Sequence, residues 1–517
     1  MLPRMERRDF LVDLGRLAAL ASVVPNVWRV TDRPRLADDP FRLGIACGDP
    51  TPTGAVIWTR LAPRPTEPEG GMDGQRVAVR WEVAEDEAFA RIVQRGRATA
   101  AIELANSVHV DVQGLAPDRW YFYRFHAGDA TSPVGRLRTT PAAGALTPLR
   151  FAIASCQNWE QGLFTAYEHM AREELDLVAH LGDYIYEYSP VPGRVRPHLG
   201  LEIRTLDDYR RRYAQYKADP ALQAAHLRCP WVLTWDDHEV DNNYAGPIGE
   251  NGMESEEQTR ARRAAAYQAW WEHQPVRVPR AKSWADLDIV RAMPWGALAQ
   301  FHVLDTRQYR SDQACNDGNK PVPCEGYDDP SRTLLGAGQE RWLSAGMAAS
   351  RARWQVLANQ VMVARFDHDP GAPDSESMDQ WPGYPAARAR LLRTIREHGA
   401  GRTVVLTGDI HSSWVNEVRA DDARATDAPV AVEFVGTSIA SGGDGGSHAP
   451  WVPPEAVAQQ PHIRWHDGRR GYVTCAVTPE AWTAEYRTVP YVSRPGAPIE
   501  TPTRWRVAHG RAAVERL

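Results

Sequence analysis

Four short apolar runs in this chain each end in a tight group of metal-type ligands. RFAIAS leads into Cys156, Gln157 and Asn158, and LDLVAHL into Asp183, Tyr184, Tyr186, Glu187 and Tyr188. WVLTW leads into the acidic run Asp236–Asn243, and RTVVLT into Asp409 and His411. Runs of this length and apolarity read as buried strands. Polar residues released at the carboxyl ends of such strands are where open α/β sheets build ligand sites. Singly, each has an ordinary structural reading: a thiol as a small buried hydrophobe, tyrosines as sheet aromatics, an acidic loop, a satisfied histidine. Together they point to one convergent site.

The donors sort by chemistry. Cys156, Tyr186 and His411 are soft or anionic donors suited to a transition metal, and a thiolate with a phenolate would stabilise a trivalent ion. Asp183, Asp409 and Asn243 offer hard oxygens suited to calcium, magnesium or manganese. A carboxylate such as Asp183 can bridge two ions. Two metals about 3.5–4 Å apart can clamp the oxygens of an in-line displacement and activate a water. That is the chemistry of phosphoester hydrolysis, where positioning and charge neutralisation supply most of the catalysis.

The elements that must position these residues fall into two patterns. From about residue 41 to 140, short alternating strands are expected over Ala55–Leu61, Val77–Val83, His109–Leu115, Trp120–Ala127 and Arg136–Thr140, separated by turn residues, as in a β-sandwich. The segment Gly114–Pro117 leading into Tyr121 and Tyr123 looks like a fibronectin type III corner. PAAGALTP, residues 141–148, reads as a linker. Beyond it, apolar runs alternate with helical periodicity over Phe164–Glu174, Asp207–Lys217, Thr259–His273, Gln339–Arg351 and Ala386–His398, which implies an α/β or α+β domain.

Composition limits the function classes. At 517 residues, with 43% hydrophobic and 24% charged side chains, the chain has ample length for a large core. A formal net charge of −6 argues against a broad nucleic-acid surface. No apolar run is long enough for a transmembrane span. Near the N-terminus, Arg7-Arg8-Asp9-Phe10-Leu11 and the alanine-rich stretch after it resemble a twin-arginine export signal, over residues 1–35. Cys315 and Cys324 flank a polar, Gly- and Pro-containing stretch and are expected to form a small loop disulfide. The acidic stretch Asp367–Asp379 reads on composition as a solvated loop, with tuning of access to the site or holding calcium as the functional alternative.

At these residues the sequence closely resembles the PhoD-like family of metallophosphatases. The matching pieces are FRLGIACGDPTPTGAVIWTRLAP (Phe41–Pro63), Cys156-Gln157, HLGDYIYEY (His180–Tyr188), WDDHEVDNNYAG (Trp235–Gly246), LDTRQYR (Leu304–Arg310), ANQVM (Ala358–Met362), LTGDIHSSW (Leu406–Trp414) and VGTSIASGG (Val435–Gly443). The resemblance runs from about residue 40 to 490 and implies an α/β catalytic domain over 149–517. That domain would be of the calcineurin-like, four-layer αββα type, preceded by an all-β fibronectin type III-like domain over 40–140. It implies ferric iron (Fe3+) on Cys156, Asp183, Tyr186 and His411, and calcium (Ca2+) on Asp183, Asn243 and Asp409. Asp237 and His238 fall in the loop that in related metallophosphatases carries a ligand and a transition-state histidine, so His238 is expected to contact phosphate or donate a proton. Cys47 stands where a serine is usual in the family, with no catalytic consequence expected.

The resulting expectation is an exported, periplasmic or secreted phosphatase. It would use the twin-arginine machinery as a partner, act on small phosphate esters and have no specific nucleic acid. Phospholipase D-like or nucleotide phosphodiesterase activity on the same site is the alternative within the fold. A degenerate scaffold acting as a binding protein is the alternative of another class.

Overall fold

The computed structural model describes residues 30–36, 38–250, 252–369, 371, 373–420 and 427–517. Most of the expected export segment, residues 1–29, therefore lies outside the described residues.

Two large sheets carry the chemistry. The larger has ten strands, with Leu149–Ala154, Leu177–His180 and Trp231–Leu233 as a parallel trio at its centre. Four C-terminal strands flank the trio on one side; Ile45–Thr51, Gly54–Arg60 and Ser107–Val112 flank it on the other. The second sheet has seven strands. Its successive parallel neighbours are Ala299–Val303, Trp354–Ala358, Thr403–Thr407 and Ala431–Val435. Three of the four apolar runs thus lie side by side in one sheet, and the fourth, Thr403–Thr407, lies in the other.

Strand alternation sends successive side chains to opposite faces. Phe151, Ile153, Leu177, Ala179 and Val232 meet Phe301, Val356, Val404, Leu406 and Phe434 of the second sheet. Ala152, Ala154, Val178, Trp231 and Leu233 face the other way, onto Tyr167, Tyr213, Leu222 and Trp270. These come from helices Thr165–Met170, Leu206–Lys217, Pro220–His226 and Glu256–His273. The outer face of the second sheet, Leu357 and Val405, is covered by Leu343, Met347, Leu391 and Ile395 of helices Gly336–Ala349 and Pro385–His398. Burial on both faces explains why these strands read as unbroken apolar runs. Two helices start with capping boxes, Thr205 with Asp208 and Ser255 with Gln258, which fix where they begin.

The expected helices all form, with shifted ends. The one expected over Phe164–Glu174 stops at Met170, where the chain turns to feed the strand starting at Leu177. Helix Pro220–His226 was not foreseen, because its seven residues are too few to show a helical period.

The N-terminal strands form a sandwich whose two sheets have different fates. Arg76–Ala84, Ile92–Ala100, Trp120–Ala127 and Gly135–Arg138 belong to a separate six-stranded sheet. Facing it through Val79, Tyr123, Phe125, Ile57 and Val108 are the three strands that continue the ten-stranded sheet. The junction is the pairing of Gly48 with Trp231. A Cβ at Gly48 would collide with the carbonyl oxygens of Trp231 and Pro275, so only glycine fits there. Tyr121 Oη accepts the N–H of Ala116 at 3.0 Å and ties the corner before its strand.

Glu433 anchors the loop that follows Trp354–Ala358. Fully buried, it accepts the N–H groups of Val363 (2.7 Å) and Ala364 (3.0 Å), the Thr407 hydroxyl (2.8 Å) and the Asn416 amide (3.0 Å). Glu433→Ala would leave those donors buried and unpaired, and is expected to cost about 2–4 kcal/mol, read as a lowered melting temperature. An unchanged melting temperature would contradict this role.

Candidate metal centre

The loops leaving the four strand ends converge at one point, and they do so by turning sharply. Cys156 (φ 59°), Asp183 (φ 56°), Asn243 (φ 52°), Asp409 (φ 61°) and His411 (φ 55°) all adopt the left-handed backbone region. Non-glycine residues pay a conformational cost there. Such residues persist where the surroundings over-determine them, often at functional sites. Here the turn points each side chain inward.

Cys156 Sγ, a carboxylate oxygen of Asp183 and a ring nitrogen of His411 all lie within 4.8 Å of one another. The Tyr186 hydroxyl donates to Asp183 Oδ2 at 2.9 Å and sits 3.1 Å from His411 Nε2. Ser441 Oγ lies 2.7 Å from both the Tyr186 hydroxyl and the Cys156 carbonyl oxygen. Burial, with the negative Asp183 beside them, pushes the Cys156 thiol and the Tyr186 phenol well above their usual ionisation range. Burial, Arg470 and His238 bring His411 down to about 3, which keeps the imidazole neutral with a lone pair to offer. A thiol, a phenol, a carboxyl and a neutral imidazole in mutual reach fit a high-valent cation, which would displace the protons on binding.

Beside this group is a second, harder one. Asp237 is common to two clusters within 4.8 Å, one with Asp183 and His238 and one with Asp236 and Asp409. Arg307, fully buried, bonds Asp236, meets Asp379 and Asp409 at 2.8 Å each and lies 3.7 Å from Asp237. Gln380 Nε2 donates to the other oxygen of Asp409 at 2.5 Å. Burial pushes up the carboxyls of Asp183, Asp236 and Asp409, the last to about 6. Asp237 is buried too, yet Arg307 and His238 hold it below the usual carboxylate range. Asp236 Oδ2 is buried without a hydrogen-bond partner. The cluster therefore holds more buried carboxyl groups than its cations can keep ionised, and the oxygens fit a hard divalent ion.

His238 lies against this group. Its Nδ1 is 2.8 Å from Glu187 Oε2, and its ring lies against Tyr186, tilted by 31° with centroids 4.1 Å apart. Burial opposes the imidazolium, but Glu187, Asp183 and Asp237 outweigh it and raise the histidine well above its usual range. With Nδ1 engaged, Nε2 is the nitrogen free to act.

Asn243 reaches the cluster differently. Its backbone N–H donates to Asp237 Oδ2 at 2.7 Å, while its side-chain amide donates to Asp317 Oδ2 at 2.6 Å. Asn242 turns its amide to Glu250 at 2.8 Å. Several participants went unassigned in the sequence, among them Asp236, Glu187, Arg307, Glu239, Asp379 and Gln380. Glu187 and Arg307 lie within motifs already singled out, and Arg307 follows an apolar strand as the ligand groups do. Glu239 accepts the backbone N–H groups of Asp183, Tyr184 and Asp236 and so fixes two of the loops. Asp379 overturns the reading of Asp367–Asp379 as a solvated loop. It is 6% exposed and held by Arg307 and Arg310, and Glu376 is fully buried on Arg365. Arginine partners make that burial tolerable, and those of Asp379 lie about 70 residues away in the chain (separations of 72 and 69).

Comparison with known proteins agrees with this geometry. The PhoD-like phosphatase family model matches residues 151–486, and the model of the PhoD-like phosphatase N-terminal domain matches residues 27–141. Alkaline phosphatase D of Bacillus subtilis (strain 168) is 48% identical over 507 residues, 96% of this chain and 86% of that one. The solved structure of PhoD superposes with a TM-score of 0.90 at 48% identity, over 94% of this chain and 93% of that chain. Purple acid phosphatase PPD1 from yellow lupin (Lupinus luteus) seeds superposes with a TM-score of 0.55 at 12% identity, over 90% of this chain and 73% of that one, a likeness of fold alone.

Because Asp409 holds its proton up to about 6, a divalent cation entering beside it must displace that proton at lower pH. Calcium affinity is expected to rise from about pH 5 to about pH 7 as that proton is lost. Calorimetry in buffers of different ionisation enthalpy would register the released proton. Affinity independent of pH across that range would contradict the carboxylate assignment.

Proposed function

The chain belongs to the PhoD-like phosphatase family and is a phosphoric ester hydrolase, and on that premise we propose that it hydrolyses phosphomonoesters and phosphodiesters outside the cytoplasm at a ferric iron and calcium centre. The observation that carries this reading is that Asp183 belongs both to a soft donor group with Cys156 and His411 and to a second group with Asp237 and His238, and that Asp237 in turn groups with Asp236 and Asp409. Iron is assigned to Cys156, Asp183, Tyr186 and His411, and calcium to Asp183, Asn243 and Asp409, with Asp237 within 4.8 Å of Asp183 in one cluster and of Asp409 in another. When bound, such ions neutralise phosphoryl oxygens and make a water acidic enough to attack.

The chain's own residues supply the rest. Glu187 fixes His238 with Nδ1 occupied, so that Nε2 can donate a proton to a phosphoryl or leaving-group oxygen. Tyr186 and Tyr188 confine the ring at 4.1 and 5.3 Å. Arg307 draws Asp236, Asp379 and Asp409 onto one guanidinium and fixes their spacing.

The packing of helices outside two facing sheets supports a four-layer αββα catalytic unit over 149–517. The Tyr121 corner supports a fibronectin-like unit over 40–140. Export by the twin-arginine route rests on Arg7-Arg8 and the residues after it. It agrees with the Cys315–Cys324 disulfide, a bond that persists in oxidising compartments. No helix among the described residues is long and apolar enough to cross a membrane.

Turnover of bis-p-nitrophenyl phosphate and p-nitrophenyl phosphate, with and without calcium, tests the reading. Calcium-dependent hydrolysis is expected, and the ratio of rates ranks diesters against monoesters. No hydrolysis of either ester by folded, metal-loaded protein would favour a binding scaffold. His238→Ala is expected to lower kcat by about 10²–10⁴-fold with little change in KM. Wild-type kcat in that variant would remove His238 from the mechanism.

A further inference from the structure

The loop closed by the Cys315–Cys324 disulfide is remote in sequence from the four strand ends, yet it touches their site. Cys315, Asn316, Asp317 and Gly318 all have positive φ (58°, 60°, 56° and 75°), so the chain coils tightly and turns Asp317 inward. Asp317 Oδ2 accepts a hydrogen from Asn243 Nδ2 at 2.6 Å, while its Oδ1 is buried with no hydrogen-bond partner. The loop is tied to the site from a second side. Asn319–Pro321 pairs with Ser375–Ser377, and Gly318 O accepts the Met378 N–H at 2.9 Å. The next residue, Asp379, is held by Arg307 and Arg310.

A primary amide has one donor end and one acceptor end. With Nδ2 of Asn243 committed to Asp317, Oδ1 is what the side chain can present to a cation, and among the described residues it accepts no hydrogen bond. A carboxylate acceptor also draws the amide proton and increases the negative charge on the carbonyl oxygen. The backbone of Asn243 is fixed independently: its N–H is on Asp237, and its carbonyl accepts from Arg310 at 2.9 Å and Gln313 at 2.7 Å. What remains to be set is the rotation of the side chain, and Asp317 sets it.

We propose that Asp317 is a positioning residue for hard-cation binding: it orients the Asn243 amide, and the Cys315–Cys324 disulfide holds Asp317 in place to do so. This rests on the assignment of Asn243 to calcium. Partners that orient a metal ligand typically change metal affinity by about 10–100-fold when removed. The disulfide thereby couples an oxidising environment to full cation affinity, although neither cysteine touches the ion site.

The test uses the full chain with iron retained and calcium removed by a chelator, titrated calorimetrically with calcium alone. Asp317→Ala is expected to weaken calcium binding by about tenfold or more, with iron content and melting temperature unchanged. Its kcat should recover at saturating calcium, a split that general structural damage would not give. Asp317→Asn, which keeps an acceptor but no charge, should show a smaller loss. The Cys315→Ser/Cys324→Ser double variant should move in the same direction. Wild-type calcium affinity in Asp317→Ala would overturn the proposal, and wild-type affinity in the double cysteine variant would overturn the part given to the disulfide. Asn243→Ala separates the two levels. If it also binds calcium normally, the assignment of Asn243 is at fault; if it binds weakly while Asp317→Ala binds normally, only the role of Asp317 fails.

Discussion

Crowded, buried carboxylates set the terms for the rest of this molecule. Asp183, Asp236, Asp237, Asp379 and Asp409 all lie within a few side chains of one another, each largely removed from water. Isolated charges would not survive such burial. Arg307 is the internal counterion that makes it possible, reaching Asp236, Asp237, Asp379 and Asp409 from a single guanidinium. Its planar fork of donors suits this better than a lysine would. Even with Arg310 on Asp379 and the His238 imidazolium beside Asp183 and Asp237, not every carboxyl is kept ionised, and the oxygens left over are what suit a cation.

The fold delivers that charge by a repeated device. A buried strand runs until its apolar pattern ends, and a left-handed residue then turns a ligand into the shared space. Cys156, Asp183, Asp409 and His411 are all placed this way. Because the parallel trio and Thr403–Thr407 lie in facing sheets, ligands arrive from two directions and can enclose an ion. Softness segregates across Asp183, with thiol, phenol and imidazole on one side and carboxylates on the other. A histidine that Glu187, Asp183 and Asp237 hold well above its usual range stands on the carboxylate side.

Much of this was legible in the sequence because it is local. A strand and the ligands it releases are neighbours in the chain, so each of the four groups announces itself, as do the helices with a clear apolar face. Pairings between distant segments are not. Arg307 lies about 70 residues from Asp236 and its partner Asp379 about as far again (separations of 71 and 72), and neither separation leaves a pattern. Asp379 sits in a stretch whose composition suggests solvent, and only the arginines waiting for it make burial tolerable. The continuation of the ten-stranded sheet into the N-terminal strands is likewise invisible to periodicity, which shows that a strand forms and not which strand it joins.

The central claim is that the strand-end cluster is a single site with a soft side and a hard side. Anomalous diffraction from crystals of the full-length protein, recorded on either side of the iron absorption edge, tests it most directly. The account predicts one iron peak bounded by Cys156, Asp183, Tyr186 and His411, with a second, non-iron ion on the Asp237 and Asp409 side of Asp183. An iron peak away from Cys156, or strand ends that hold no ion in crystals grown with iron and calcium, would contradict it.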